Sequence, residues 1–304
     1  MVNVAIVPAT RPAMHAAFVQ AVLEGGGRPS DAGDAAALVW ADPTQADSFP
    51  TLIASAPHLR WVQLPYAGIE SFAGYLDPRF VWTCGKGVYA PPVAEHVLAL
   101  ALTALRNMRA YATATTWSAP AGRNLIGARV AVIGGGGICE ALLALLAPFG
   151  CTVTVVRRSS RPIAGARVVG PDDTLDAVGP ADIVVLALAL TDSTRGLVDA
   201  RFLATMQPHA WLINVARGGH VVTDDLVASL QAGSIGGAAL DVTDPEPLPD
   251  GHPLWSLPNC IITPHVANTP DMGLPLIAAR VRDNVARFVS GRPLLGIVDL
   301  AAGY

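Results

Sequence analysis

Four consecutive glycines, Gly134–Gly137, stand between an apolar run with strand character, Val130–Ile133, and an apolar segment with helical spacing, Ile138–Ala147. This strand–turn–helix unit constrains the fold more than any other stretch. In the G-x-G-x-x-G register the glycines are Gly134 and Gly136, and Cys139 takes the third place. The motif alone is weak, but here it has the required strand before it and helix after it. The first glycine permits a tight turn. The second lets the backbone approach a pyrophosphate seated on the helix N-terminus, where Gly137 and Ile138 lie. Cys139 stands where helix and strand pack closely. Cysteine is small, so a slightly displaced helix is expected rather than loss of a dinucleotide site.

Around this unit, strands and helices alternate. Val2–Val7, Ala37–Trp40, Trp61–Leu64 and Val81–Cys84 read as strands, Met14–Glu24 as a helix stopped by Gly25–Gly27, and Leu52–Ala56 as a helix end. This describes a small parallel α/β unit. Pro91-Pro92 opens a long apolar helix to about Met108, and Tyr111–Asn124 has only weak periodicity. A second series runs through strands at Val130–Ile133, Thr152–Val156, Ile183–Leu188, Trp211–Val215, Gly237–Val242 and Ile261–Thr263, which is the order of a doubly wound sheet. Leu276–Ser290 is a terminal helix expected to return to the first unit, which is too small to close its own core. The predicted fold is α/β in two domains. A doubly wound (Rossmann) nucleotide domain, 93–274, is inserted into a smaller flavodoxin-like substrate domain, 1–92 plus 275–304.

Composition narrows the class. The chain of 304 residues is 52% hydrophobic and 14% charged, which suits a large core and argues against disorder. Its mean hydropathy of +0.43 raises the question of a membrane span. Ile183–Leu190 is short, and Val93–Leu105 is broken by Glu95 and His96, so neither reaches the ~20 apolar residues a span requires. No membrane partner is expected. The N-terminus begins at once as a strand, without signal-peptide features, and a cytoplasmic enzyme is expected. Net charge is −4 with no long basic run, so nucleic acid is a poor partner. Cys84, Cys139, Cys151 and Cys260 form no C-x-x-C pair or zinc spacing, so packing cysteines and no metal are expected.

The segment after the second strand carries information about the cofactor. An NAD site normally places an acid about 20 residues beyond the glycines to hold the ribose 2′-OH. This chain has Arg157-Arg158-Ser159-Ser160-Arg161 instead. Guanidinium groups bind a 2′-phosphate through paired charge-assisted bonds, and Ser159 can add a hydroxyl donor. NADP(H) is therefore predicted over NAD(H).

Three further segments hold a cation and an acid/base pair: Arg217 in Asn214-Val-Ala-Arg-Gly218, Glu246 in Asp241-Val-Thr-Asp-Pro-Glu-Pro247, and His265 in Ile262-Thr-Pro-His265. Arg217 suits a keto acid, whose carboxylate and carbonyl it can hold and polarise. His265 can give a proton to the developing alkoxide, or accept one in reverse. Glu246 would orient the imidazole and favour its charged form.

Ala216-Arg-Gly-Gly219, Ala239-Leu-Asp-Val242, Glu246-Pro-Leu-Pro249, His252-Pro-Leu-Trp255 and Pro258-Asn-Cys-Ile-Ile-Thr-Pro-His265 stand in one order and spacing. In them the chain resembles the D-isomer-specific 2-hydroxyacid dehydrogenases. Val298-Asp299 and the final Gly303-Tyr304 resemble the glyoxylate/hydroxypyruvate reductase branch. The resemblance implies that Arg217, Glu246 and His265 are the catalytic triad and that Asp241 lies near the nicotinamide carboxamide; Ala216 is expected at the cofactor too. Asn268 departs from the small residues or glycines that many relatives carry there, and it can bond to the nicotinamide or to the substrate. The resemblance also implies that Ala67 and Gly68, in the turn with Tyr66, offer N–H donors to the substrate carboxylate. His96 is expected on a packed or hinge face. Ala187 and Ala189 replace residues that relatives often carry as His and Pro, so the loop near the cofactor is expected to differ.

The implied activity is NADPH-dependent reduction of a small 2-keto acid, of glyoxylate or hydroxypyruvate type, to the D-2-hydroxy acid by a homodimer. Within the family, the alternative is a bulkier 2-hydroxy acid, with Tyr66, Tyr89, Trp117 and Trp255 as candidate pocket aromatics. Outside it, a non-catalytic, nucleotide-sensing corepressor-like scaffold remains open.

Overall fold

The computed structural model describes residues 1–300. Gly303 and Tyr304, on which the branch resemblance partly drew, lie outside the described residues. The chain divides into two compact units, Met1–Tyr89 together with the chain from Thr269 onward, and Ala90–Asn268.

The first unit runs β1 (Val2–Val7), α1 (Pro12–Glu24), β2 (Gly27–Pro29), β3 (Ala37–Trp40), α2 (Phe49–Ala54), β4 (Trp61–Gln63) and β5 (Val81–Thr83). The second runs α3 (Ala90–Leu105), α4 (Met108–Ala112), β6 (Arg129–Ile133), α5 (Gly137–Leu146), β7 (Thr152–Val156), β8 (Ala166–Val169), α6 (Thr174–Val178) and β9 (Ile183–Leu186). It continues through α7 (Ala200–Thr205), β10 (Trp211–Asn214), α8 (Thr223–Ala232), β11 (Gly237–Leu240), α9 (Pro253–Ser256) and β12 (Cys260–Ile262). α10 (Pro270–Val289) returns to the first unit.

Among the described residues the first unit holds a five-stranded sheet in the order β2-β1-β3-β4-β5, with every pair parallel. This is a flavodoxin-like order, in keeping with the domain type expected from the sequence. β3 shows how both faces are covered. Ala37 and Val39 pack with Phe18, Val22, Ile277 and Val281, on the side of α1 and α10. Leu38 and Trp40 pack with Phe49, Val62 and Trp82 on the other side. Period-two alternation inside an all-apolar run is what a parallel sheet buried on both faces requires.

α10 joins this unit through polar groups as well as apolar ones. Gln63, Thr83 and Asn284 have no exposed surface. The Trp61 indole N–H donates to Thr83 Oγ1 (2.8 Å), and the Thr83 hydroxyl donates to Gln63 Oε1 (2.8 Å). Asn284 Nδ2 donates to Gln63 Oε1 (2.8 Å) and to the Leu295 carbonyl (2.9 Å), while Asn284 Oδ1 accepts from Leu295 N–H (2.8 Å). Buried polar groups are tolerated only when paired in this way.

The second unit holds a seven-stranded parallel sheet in the order β12-β11-β10-β9-β6-β7-β8. The order reverses between β6 and β9, so the switch point lies at the carboxyl ends of those strands, where doubly wound sheets take their ligands. Val184, Leu186, Leu212, Phe202 and Leu203 form its fully buried centre.

Several local expectations are corrected. The helix read as starting at Leu276 begins at Pro270 and carries Pro275 in its second turn. Proline at the first helical position is favourable, whereas Pro275 looks like a helix boundary in a sequence. The units accordingly divide at Thr269, and at Ala90 where α3 begins, rather than at 275 and 93. The single helix expected to reach Met108 is two, because Asn107 adopts a left-handed conformation (φ 53°) between α3 and α4. The edge strands β2 and β8 were unread. β2 contains Gly27 and Pro29, acceptable only because an edge strand need not donate on both sides.

Asn284→Leu should leave Gln63 and Leu295 short of partners. The expected cost is about 2–4 kcal/mol. Thermal unfolding should show a Tm several degrees lower, and an unchanged Tm would contradict the role assigned to this network.

Candidate active site

The glycine turn leaves β6 at the switch point. Gly134 has φ 114°, and a Cβ there would lie 2.2 Å from the Ala187 carbonyl oxygen beyond β9. Backbone and neighbour both require glycine. Gly136, the N-cap of α5, has open space where a Cβ would stand, and Gly136 and Gly137 are exposed. The first N–H groups of a helix have no intrahelical partners, so the turn presents donors to an anion. Cys139 is fully buried beneath it, and burial pushes its thiol up to about 11. The substituted third position is therefore a neutral packing group.

Arg157 follows β7 and folds back toward the turn. Its Nε donates to the Ser159 carbonyl (2.9 Å) and its Nη1 to the Gly135 carbonyl (3.3 Å). Arg158 and Ser159 are exposed on the same loop.

The Arg217 turn leaves β10. The side chain of Asn214, fully buried, shapes it: Nδ2 donates to the Arg217 carbonyl (3.0 Å) and Oδ1 accepts from Ala216 N–H (3.0 Å). Arg217 Nη1 donates to the Ala216 carbonyl (2.8 Å), so the buried Ala216 has both backbone groups engaged within the turn. Gly218 carries the turn against the next segment. A Cβ there would lie 1.9 Å from the Thr243 carbonyl oxygen, which no larger residue allows.

That next segment begins with Asp241, which is 2% exposed at the end of β11. Its carboxylate organises the chain beyond β12. Oδ1 accepts from Val266 N–H (2.9 Å) and from the Thr263 hydroxyl (2.5 Å), and Oδ2 accepts from Ala267 N–H (3.0 Å). The Asp241 carbonyl accepts from His265 N–H (2.8 Å). Three consecutive N–H groups, 265 to 267, thus point at one residue. His265 takes φ 52°, one of two non-glycine residues at positive φ among those described. Such a backbone costs an L-residue about 1–2 kcal/mol, and the Asp241 contacts offset it. Burial opposes the Asp241 charge, but hydrogen bonds from His96, Thr263, Val266 and Ala267 outweigh it and hold the carboxyl below its ordinary value.

His96, on α3, completes this cluster. Its Nε2 lies 3.0 Å from Thr263 Oγ1 and 3.4 Å from Asp241 Oδ1. The Thr263 hydroxyl donates to Asp241, so it accepts from His96, which puts a proton on Nε2. The sequence placed His96 on a packed or hinge face. Within its own unit, it contacts the acid that shapes the His265 turn.

With its backbone set, His265 meets Glu246. Nδ1 lies 2.6 Å from Glu246 Oε1, and the side chains are 53% and 41% exposed. Nδ1–H donates to the carboxylate, so Nε2 is left for proton exchange. The structure therefore brings Arg217, Glu246 and His265 onto adjoining turns of one sheet. Asn268 Oδ1 is buried with no hydrogen-bond partner among the described residues, an acceptor suited to the amide N–H of a nicotinamide carboxamide. With the open turn at Gly136, it shows that the residues present fit a nicotinamide dinucleotide. The sequence did not single out Asn214 or Thr263. Their only signal was a buried polar residue beside a motif.

In the first unit, the Tyr66-Ala-Gly68 turn is held from behind. The Tyr89 hydroxyl donates to the Pro65 carbonyl (2.6 Å) and Gly85 N–H to the Tyr66 carbonyl (2.8 Å). Tyr66 and Ala67 are exposed and Gly68 is half-buried. Trp117 is fully exposed, and Trp255 half-exposed with its indole N–H on the Pro249 carbonyl. Among the described residues no helix is long and apolar enough to cross a membrane, and no group of His, Cys, Asp and Glu is placed to hold a metal ion.

A carboxylate–imidazole pair and an arginine on a dinucleotide fold define a nicotinamide-dependent oxidoreductase. The model of the D-isomer specific 2-hydroxyacid dehydrogenase NAD binding domain matches residues 97–267, more than half of the chain. An uncharacterized protein from the proB 3′ region of Corynebacterium melassecola is 40% identical over 93% of this chain and 95% of its own. Glyoxylate/hydroxypyruvate reductase A of Yersinia enterocolitica is 28% identical over 88% of this chain and 87% of its own. The NADPH-dependent glyoxylate/hydroxypyruvate reductase of Sinorhizobium meliloti, solved with NADP and sulfate, superposes with a TM-score of 0.82 at 28% identity over the whole of both chains. The protein belongs to the D-isomer specific 2-hydroxyacid dehydrogenase family and is similar to its glyoxylate/hydroxypyruvate reductase branch.

Asp241→Asn places an amide N–H2 among N–H donors. Loss of charge-assisted bonds should lower kcat/KM about 10- to 100-fold. The Asp241 carboxyl is depressed in the folded protein, so its contribution is present above the ordinary carboxylate value and lost as pH falls through the lowered one. The Tm gap between the two proteins should therefore be widest near neutral pH and close in acid. A pH-independent gap would contradict it.

Proposed function

We propose that this protein reduces a small 2-keto acid, of glyoxylate or hydroxypyruvate type, to the D-2-hydroxy acid with NADPH. The observation that carries the reading is the 2.6 Å contact between His265 Nδ1 and Glu246 Oε1, which leaves Nε2 as the proton-transfer atom. The glycine turn and α5 hold the pyrophosphate, and Asn268 with the remaining lone pair of Asp241 Oδ2 holds the carboxamide. The nicotinamide, when bound, supplies the hydride.

Arg217 binds the substrate carboxylate and polarises the carbonyl. His265 Nε2 delivers a proton to the carbonyl oxygen as negative charge develops there, and Glu246 stabilises the imidazolium before transfer. Arg157, Arg158 and Ser159 stand where an acid would favour NAD(H), and they are suited to a 2′-phosphate. The NADPH-dependent reductase at 28% identity supports both cofactor and substrate class.

A panel of 2-keto acids assayed with NADPH and NADH tests this reading. Glyoxylate or hydroxypyruvate with NADPH should give the highest kcat/KM, and preference for NADH or for a bulky keto acid would overturn that part. His265→Ala should lose about 100- to 10,000-fold in kcat while still binding cofactor. Turnover near wild type would overturn the mechanism.

The chain acts as a homodimer in this reading. Residues 113–124 form an exposed arm, closed on itself where the Tyr111 hydroxyl accepts from Ala121 N–H (2.6 Å). It carries Trp117 fully exposed, and burial of that indole against a second copy would be favourable. Light scattering should give the dimer mass, reduced toward monomer in Trp117→Ala. A monomeric wild-type protein would end the proposal.

A further inference from the structure

Between the two signature glycines stands Gly135, which the motif leaves unspecified. It is not among the residues with positive φ, so its backbone does not require glycine. Its surroundings do. A Cβ at this position would lie 2.4 Å from Arg157 Cδ, 3.2 Å from Arg157 Cβ and 3.3 Å from Arg157 Cγ. These are stem atoms, so they cannot yield without moving the guanidinium. The Gly135 carbonyl also receives Arg157 Nη1–H (3.3 Å), while Nε–H is taken by the Ser159 carbonyl (2.9 Å). The arginine is thus seated on the glycine turn by shape and pinned by two backbone carbonyls. Its other N–H groups remain available to an anion.

We propose that Gly135 is a specificity-determining residue. By lacking a side chain it seats Arg157 in the position that recognises the 2′-phosphate of NADPH. The proposal rests on the NADPH reading above and goes beyond it, since it assigns the preference to a pair of residues rather than to the basic loop alone.

The structure also shows where a displaced arginine would go. β7 and β8 are parallel, and their connection, residues 157–165, contains no helix. Parallel crossovers usually need about a dozen residues or more and carry a helix that covers the sheet. Here a groove of about 710 Å³ lies beside α5, lined among others by Gly135, Arg157, Arg161, Glu140 and Ile163. An Arg157 stem pushed off Gly135 has room to enter it, with the Glu140 carboxylate present as an alternative partner. Gly135→Ala should therefore fold and misplace the guanidinium.

The test is a double-mutant cycle over Gly135→Ala, Arg157→Ala and the double variant, reading the ratio of kcat/KM for NADPH to that for NADH. Each single variant should lower the ratio about 10- to 100-fold, as expected for lost charge-assisted bonds to phosphate. The double variant should fall no further than Arg157→Ala alone, because the contact has already gone. The double variant also removes the 2.4 Å Cδ contact and leaves only the milder 3.2 Å approach of the two Cβ atoms, which guards against a Gly135→Ala protein that fails to fold. An unchanged ratio in Gly135→Ala, or additive losses in the double variant, would overturn the inference. An unchanged ratio in Arg157→Ala would instead overturn the NADPH reading on which it rests.

Discussion

One buried carboxylate organises the candidate site. Asp241 ends β11 almost without exposure, and its oxygens and carbonyl collect donors from Thr263, His265, Val266 and Ala267. An ionised acid so deep in a sheet is stable only because those hydrogen bonds outweigh the loss of hydration. In return it fixes a left-handed histidine on a turn that has no regular secondary structure to hold it. The His265 imidazole is half-exposed, yet its backbone hangs from one of the least accessible charges among the described residues.

The same segment links the other turns. Asp241 N–H donates to the Asn214 carbonyl, Gly218 lies hard against Thr243, and the Thr223 hydroxyl donates to the Asp244 carbonyl (2.6 Å). Arg217 and Glu246 therefore sit on neighbouring loops that share backbone contacts rather than on independent ones. Functional groups on loops gain precision only from such support, because loops supply no ladder of their own. The polar residues that provide it, Asn214, Thr263 and His96, touch no substrate in the proposed mechanism.

The difference between what the sequence disclosed and what it concealed follows this division. The placement of Gly134, Arg217, Glu246 and His265 beyond strand ends was legible because the chemistry proposed for them calls for particular residue types next to particular strands. The two sheets were legible because buried parallel strands read as short apolar runs. Asn214 and Thr263 were not, since a side chain that bonds to a turn leaves no periodicity. β2 and β8 escaped because edge strands tolerate glycine, proline and exposure. Pro275 concealed a turn of α10, being at once a breaker in a sequence and tolerable near a helix start. Gly135 falls at an unspecified place of the motif, and the Arg157 stem that lies over it is visible only in the fold.

The network around Asn284 also fixes an order of events during synthesis. Gln63 is made early, but its partner Asn284 lies 221 residues later in the chain. At about 5–20 residues per second, Gln63 waits roughly 10–45 s on the ribosome for that amide. During this interval the whole of the second unit emerges. The strands of the first unit therefore wait for their last helix: α1 packs early against the shared face, and the part that Ile277, Val281 and Val285 cover stays exposed until α10 is made.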